Sequence, residues 1–215
     1  MKKTFSILAI AVCGLWGTSR AMATPSYCDT NFVGNLVANC GFETGDFTGW
    51  TISGNTTNPG CNDYGVDFAD LQSGNFGAYM SQDFFISTAP VVLSQTLSTT
   101  AGANYFISFF VELDTPPSPG VAQTFVAMFG STTIASLAPT VAFPGTVGTF
   151  EQFTATVPAT GPTTVLSFAF ENDDSFWSFD DVSVISLTAT PEPSTFLLAG
   201  AALGGLLLAR RRIVG

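Results

Sequence analysis

Histidine is absent from this chain of 215 residues, and basic residues are scarce. The six are Lys2, Lys3, Arg20, Arg210, Arg211 and Arg212, so residues 21–209 hold no Lys, Arg or His. Without imidazole, neither a Ser-His-Asp nor a Cys-His nucleophilic site can be assembled. His-ligated zinc is excluded for the same reason. Without cations the body cannot neutralise a phosphate backbone, which excludes nucleic acid as a partner. Nor can it clamp phosphate or carboxylate with arginine. There is no C-x-x-C among the four cysteines, which argues against a redox or zinc role. No segment of the body carries a helical period.

What the body does carry is acid. Fifteen of the sixteen carboxylates lie between Asp29 and Asp181; the other is Glu192. The chemistry left open is that of carboxylates: a hard cation such as calcium, or a paired-acid hydrolase.

The N-terminus reads as a signal peptide over residues 1–23. Lys2 and Lys3 precede an apolar run from Phe5 to Trp16, and Ala21-Met22-Ala23 supplies the small residues before a cut after Ala23. The C-terminus, residues 189–215, has three parts in order. Pro191-Glu192-Pro193 opens it, Phe196 to Ala209 is apolar or small, and Arg210, Arg211 and Arg212 close it. As a helix the apolar part spans about 21 Å, short of a bilayer core of about 30 Å. The arginines belong on the cytoplasmic side, which places the body outside the inner membrane. This tail resembles the PEP-CTERM sorting signal of Gram-negative bacteria. The resemblance implies export, transient anchoring in the inner membrane by a short transmembrane helix, and an exosortase there as processing partner. It also implies a final place at the cell surface or in the extracellular matrix, often with exopolysaccharide.

Residues 24–188 form the body. Gly, Pro, Ser and Thr punctuate alternating apolar runs, the pattern of strands. Val91–Leu97, Tyr105–Leu113, Gln123–Phe129, Phe150–Val157, Thr164–Phe170 and a last strand through Val182 and Val184 are predicted. Thr115 to Pro119 is expected to be a long hairpin loop. The fold class is all-β, an antiparallel β-sandwich, with 19 of the 21 Phe available to fill it.

The body also carries a family pattern. Asn39-Cys40-Gly41-Phe42-Glu43, followed by Gly49-Trp50, resembles the opening N-G-x-F-E…G-W of galactose-binding-like jelly rolls, with Cys40 in place of the usual Gly. Leu93–Leu97 with Ala101-Gly102 and Tyr105 matches the middle, and Phe179-Asp180-Asp181-Val182 the closing strand. That group includes many carbohydrate-binding modules. The resemblance implies a structural calcium held by Glu43 and Asp180. Strand parity supports it: Asp180 falls in phase with Val182 and Val184 and is expected to point inward, where a carboxylate needs a cation or several donors. Asp181 is expected on the opposite face.

A sugar platform is the second candidate site, with Trp50, Trp177, Tyr64 and Tyr79 as stacking rings and Asn62, Asp63, Asp67 and Gln72 as hydrogen-bond partners. In a sandwich each such ring is more often core. The third is a paired-acid glycosidase built on Glu171, Asp173 and Asp174, or on Glu112 and Asp114; solvated turns are the plainer reading. Cys28, Cys40 and Cys61 remain after signal removal, with three pairings open. The expectation is a non-enzymatic exported protein associated with extracellular polysaccharide, with a carbohydrate-binding module as the alternative.

Overall fold

In the computed structural model the described residues are 24–54, 56, 64–81, 89–116, 123–138, 147–172 and 175–187. The expected signal helix and C-terminal transmembrane helix, the Pro191-Glu192-Pro193 motif and the arginine tail lie outside them. Among the described residues no helix is long and apolar enough to cross a membrane.

A short helix, α1 (Tyr27–Asn31), precedes ten strands. These are β1 (Thr51–Gly54), β2 (Tyr64–Asp67), β3 (Gly77–Met80), β4 (Val91–Ser98) and β5 (Asn104–Leu113). Then follow β6 (Gln123–Phe129), β7 (Thr132–Leu137), β8 (Glu151–Pro158), β9 (Thr163–Asn172) and β10 (Trp177–Ser186). They form two five-stranded sheets, β1-β4-β9-β6-β7 and β2-β3-β10-β5-β8. All pairings are antiparallel. The fold is the antiparallel β-sandwich that the alternation predicts. One expectation needs correction. The segment through Thr115 does not turn a hairpin, because β5 and β6 belong to different sheets. The chain changes sheet between β5 and β6, which residue alternation alone cannot distinguish from a hairpin.

Alternation fills the space between the sheets. Leu93, Phe125, Ala127, Phe129, Leu166, Phe168 and Phe170 of one sheet face Ile107, Phe109, Val111, Trp177 and Phe179 of the other, all buried. Most of these rings tilt or meet edge to face, while Phe125 and Phe168 stack at 20° with centroids 6.2 Å apart; an upright face-to-face sandwich, which the ring quadrupole disfavours, is avoided by the tilted pairs. Phe179 sits at the centre, 4.5 Å from Phe168 between centroids and 5.4 Å from Phe170. Before the first strand, a disulfide joins Cys28 of α1 to Cys40, with Cα atoms 6.2 Å apart. Closing so short a loop removes roughly 3 kcal/mol of unfolded-state freedom in the chain-entropy account. Cys61 lies outside the described residues.

Truncating the central ring leaves a void that neighbours on two sheets cannot both fill. Phe179→Ala is expected to lower unfolding stability by about 3–5 kcal/mol, read by denaturant titration. A loss below about 1 kcal/mol would mean that the core is not packed on this ring.

Candidate functional site

The closing strand β10 breaks register between Asp180 and Ser183. The break is a bulge, with Asp181 at φ 55°. Phe179 and Val182 both face the core, so two residues stand where regular alternation allows one. This overturns the parity expectation. Asp180 pairs with Phe110 on the outer side of its sheet, not in the core. The bulge turns Asp181 to that side as well, instead of to the opposite face. Both are nonetheless 0% exposed, because α1 and the loop before β3 lie over them.

These two carboxylates hold that cover in place. Asp180 Oδ2 accepts the backbone N–H of Gln72 (2.9 Å) and Ser73 (3.2 Å). Asp180 Oδ1 accepts the N–H of Asp181 at 2.7 Å. Asp181 accepts the N–H of Cys28 at 3.0 Å and the Ser73 hydroxyl at 2.6 Å. Glu43 extends the network, accepting the N–H of Asn75 (2.8 Å) and Phe76 (3.3 Å) and the Asn75 side-chain amide (2.9 Å). Gly74 is required between them: a Cβ there would overlap Glu43 Oε1. Burial, then the charge of Asp181, pushes the Asp180 carboxyl up to about 8. Burial raises Asp181 too.

Glu43 and Asp180 both bind the loop before β3, and Asp181 joins them. The donors are all oxygen, which suits calcium. No Lys or Arg is available in residues 21–209. Gln72 Oε1 of the same loop is a buried acceptor without a hydrogen-bond partner. The composition fits a hard cation, and the N–H donors already satisfy part of each carboxylate. The ligand atoms of Cys28, Asp29 and Cys40 lie within 4.8 Å of one another, but both sulfurs are spent in the disulfide.

The same loop forms one wall of a groove of about 270 Å³ lined by Asp67, Asp70, Tyr79 and Phe176. Asp67, at the end of β2, accepts the N–H of Ala69 and Asp70 and folds the chain back over the sheet. Ser178 of β10 donates to Asp70 Oδ1 at 2.8 Å. Tyr79 stands in a cross-strand row with Gly65 and Ser178, and Glu112 continues it on β5. A Cβ at Gly65 would lie 2.5 Å from Tyr79 Oη, so glycine lets the ring lie across β2. Phe176 meets Tyr79 edge to face at 5.7 Å. Burial raises the Asp70 carboxyl, with further pressure from Asp67 and Asp114. Burial, then Asp114 and Asp70, raises Glu112.

Of the proposed stacking rings, only Tyr79 lines the groove. Trp50 and Trp177 are core residues. Trp50 stacks on Phe42 and donates to Asn39 O; Trp177 packs on Phe125 and donates to Glu171 O. Tyr64 is half-buried against Phe47. Gln72 serves the Asp180 network, while Asn62 and Asp63 lie outside the described residues. Glu171 accepts the Thr124 hydroxyl on the other sheet, and Asp173 and Asp174 lie outside the described residues. Sequence reasoning missed Asp70, Phe176, Ser178 and Ser73. The run Ser73-Gly74-Asn75-Phe76-Gly77 was the available signal, since two glycines so close mark a backbone pressed against its neighbours.

Residues 189–212 match the PEP-CTERM protein-sorting motif, so the chain carries the sorting signal of an exported protein. No match is found among curated proteins. Among solved structures, a cyclase from Fischerella sp. TAU is similar at 17% identity over 73% of this chain and 98% of its own, with a TM-score of 0.52. The module TmCBM61, solved with β-1,4-galactotriose, is 20% identical over 71% of this chain and 98% of its own, with a TM-score of 0.48. The CBM22-1 xylan-binding domain of Paenibacillus barcinonensis Xyn10C is 15% identical over 74% and 99%, with a TM-score of 0.47. At these identities the likeness concerns the fold.

The buried pair gives a pH dependence of known sign. The folded Asp180 carboxyl titrates near 8 and the unfolded one near 3.8. Between those values the folded state holds a proton that the unfolded state has released. Its stabilising contribution is therefore complete below the unfolded value and is lost as pH rises toward about 8. Exposed carboxylates finish titrating below pH about 6, and the chain has no His. The melting temperature in chelator should fall between pH 6 and 8, by up to about 1 kcal/mol of stability per pH unit. Asp180→Asn should flatten that slope; an unchanged slope in the variant would assign it elsewhere.

Proposed function

We propose that the chain is a non-enzymatic glycan-binding protein, placed by its sorting tail at the cell surface or in the extracellular matrix and associated there with exopolysaccharide. The observation that carries this is the groove. Two aromatic rings and two carboxylates surround a space near the low end for ligand sites, enough for a sugar unit or two. Aromatic faces bind the apolar faces of sugars, and carboxylates accept their hydroxyls. The sorting motif supports a surface destination, and processing by an inner-membrane exosortase follows from it. A paired-acid glycosidase is the rival reading, favoured by the raised carboxyls of Asp70 and Glu112. A glycan array probed with the exported protein should show binding that Tyr79→Ala abolishes, and bound oligosaccharides should be recovered uncleaved. Released shorter products would identify a hydrolase. No binding to any glycan would favour a purely structural matrix protein.

The carboxylates over β10 are proposed to hold structural calcium, with Glu43, Asp180 and Asp181 as ligands and no catalytic part. The ion would neutralise the buried acids and pin the covering loop. At a hundredfold excess over Kd such an ion adds about 2.7 kcal/mol. Millimolar calcium at pH 8 should therefore raise the melting temperature by several degrees, and chelator should reverse it. Asp180→Asn should remove the calcium-specific part. An equal rise with magnesium or sodium chloride would mean charge screening alone.

A further inference from the structure

Glycan binding at the groove leaves open which glycans fit, and the charge around the groove decides between them. Asp67 and Asp70 line it. Glu112 stands in the same cross-strand row as Tyr79 and Ser178. Asp114 follows the end of β5 and is close enough to act on both Asp70 and Glu112. Two carboxylates thus line one small groove and two more stand near enough to act on them. Residues 21–209 contain no cation to offset them, and Ser178 is the hydroxyl that donates to Asp70.

A uronate or sulfated sugar would bring like charge into this field and be repelled. A neutral sugar would satisfy the ring faces and leave the carboxylates uncompensated. A protonated amine meets both features. It pairs with the carboxylates, and it is drawn to the faces of the rings at Tyr79 and Phe176 by their quadrupole.

Resting on the glycan-binding reading, we propose that this groove selects an aminoglycan, a polysaccharide with free protonated amines such as deacetylated glucosamine units. Tyr79 and Phe176 seat the sugar ring, Asp70 takes the ammonium, and Asp67, Glu112 and Asp114 supply the surrounding negative field. Asp70 suits that role because Ser178 fixes its orientation from beneath.

The test uses the exported protein at mildly acidic pH with three probes of equal length: a glucosamine oligomer, its N-acetylated counterpart and a uronate oligomer. Titration calorimetry should show the free-amine oligomer binding about tenfold tighter than the acetylated one, the factor that about 1.4 kcal/mol of charge pairing gives. The uronate should not bind, with or without calcium. Asp70→Asn keeps an acceptor for Ser178 and should erase the preference for free amine, and Tyr79→Ala should abolish binding. Asp46→Asn removes one unit of charge from an exposed turn away from the groove and should change nothing. Equal or tighter binding of the acetylated oligomer overturns the amine preference but leaves glycan binding standing. Calcium-dependent uronate binding overturns it likewise. Loss of affinity in Asp46→Asn equal to that in Asp70→Asn reduces the effect to net charge and overturns it too. No binding of any of the three oligomers overturns the amine preference, and only if the glycan array is blank as well does the glycan-binding reading itself fall.

Discussion

Two carboxylates buried side by side on β10, in a body without a single cation, are the constraint on which the outer half of this structure depends. Burying one ionised acid is costly, and burying two together more so. The bulge at Asp181 makes the arrangement possible by turning both to one side. Backbone N–H groups and one hydroxyl then supply the donors that arginine or lysine would supply elsewhere. Those donors come from α1 and from the loop before β3, so satisfying the acids fixes both segments on the sheet. The disulfide acts on the same place, since Cys28 donates to Asp181 and Cys40 O accepts from Val182.

The groove inherits its shape from this arrangement. Asp70 sits two residues before Gln72, and Gln72 and Ser73 are held by Asp180. Ser178, which orients Asp70, lies two residues before Asp180 on the same strand face. A change at the buried pair therefore reaches the groove through a chain of direct contacts rather than through the core. The hydrophobic core sets the sandwich, and the acids set what the sandwich displays.

The long strands were legible because each buries one face. β4, β5, β6, β8 and β9 alternate over most of their length, and their bounds in the structure differ from the sequence reading by at most two residues, with β6 matching it. Strands β1, β2, β3 and β7 escaped, being four to six residues long with weak or no alternation. The phase of β10 was read correctly at Val182 and Val184 but wrongly at Asp180 and Asp181, because a bulge adds one residue without changing composition and breaks any parity argument carried across it. The same limit applies to aromatic residues. Trp50 and Trp177 carry the ring best suited to sugar stacking, yet both are core, whereas Tyr79 gains its place from a glycine on the neighbouring strand. Nothing in Tyr79 itself distinguishes it; the information lies in Gly65.

Topology relates the groove to the sorting tail. Trp177 opens β10 beside Phe176, and Ser186 closes this strand of ten residues. A strand of that length runs about 33 Å. The tail motif begins at residue 189, just past the far end. Along the chain, Phe176 of the groove therefore precedes β10 and the sorting motif follows it, so the strand that carries the buried acids separates the two in sequence.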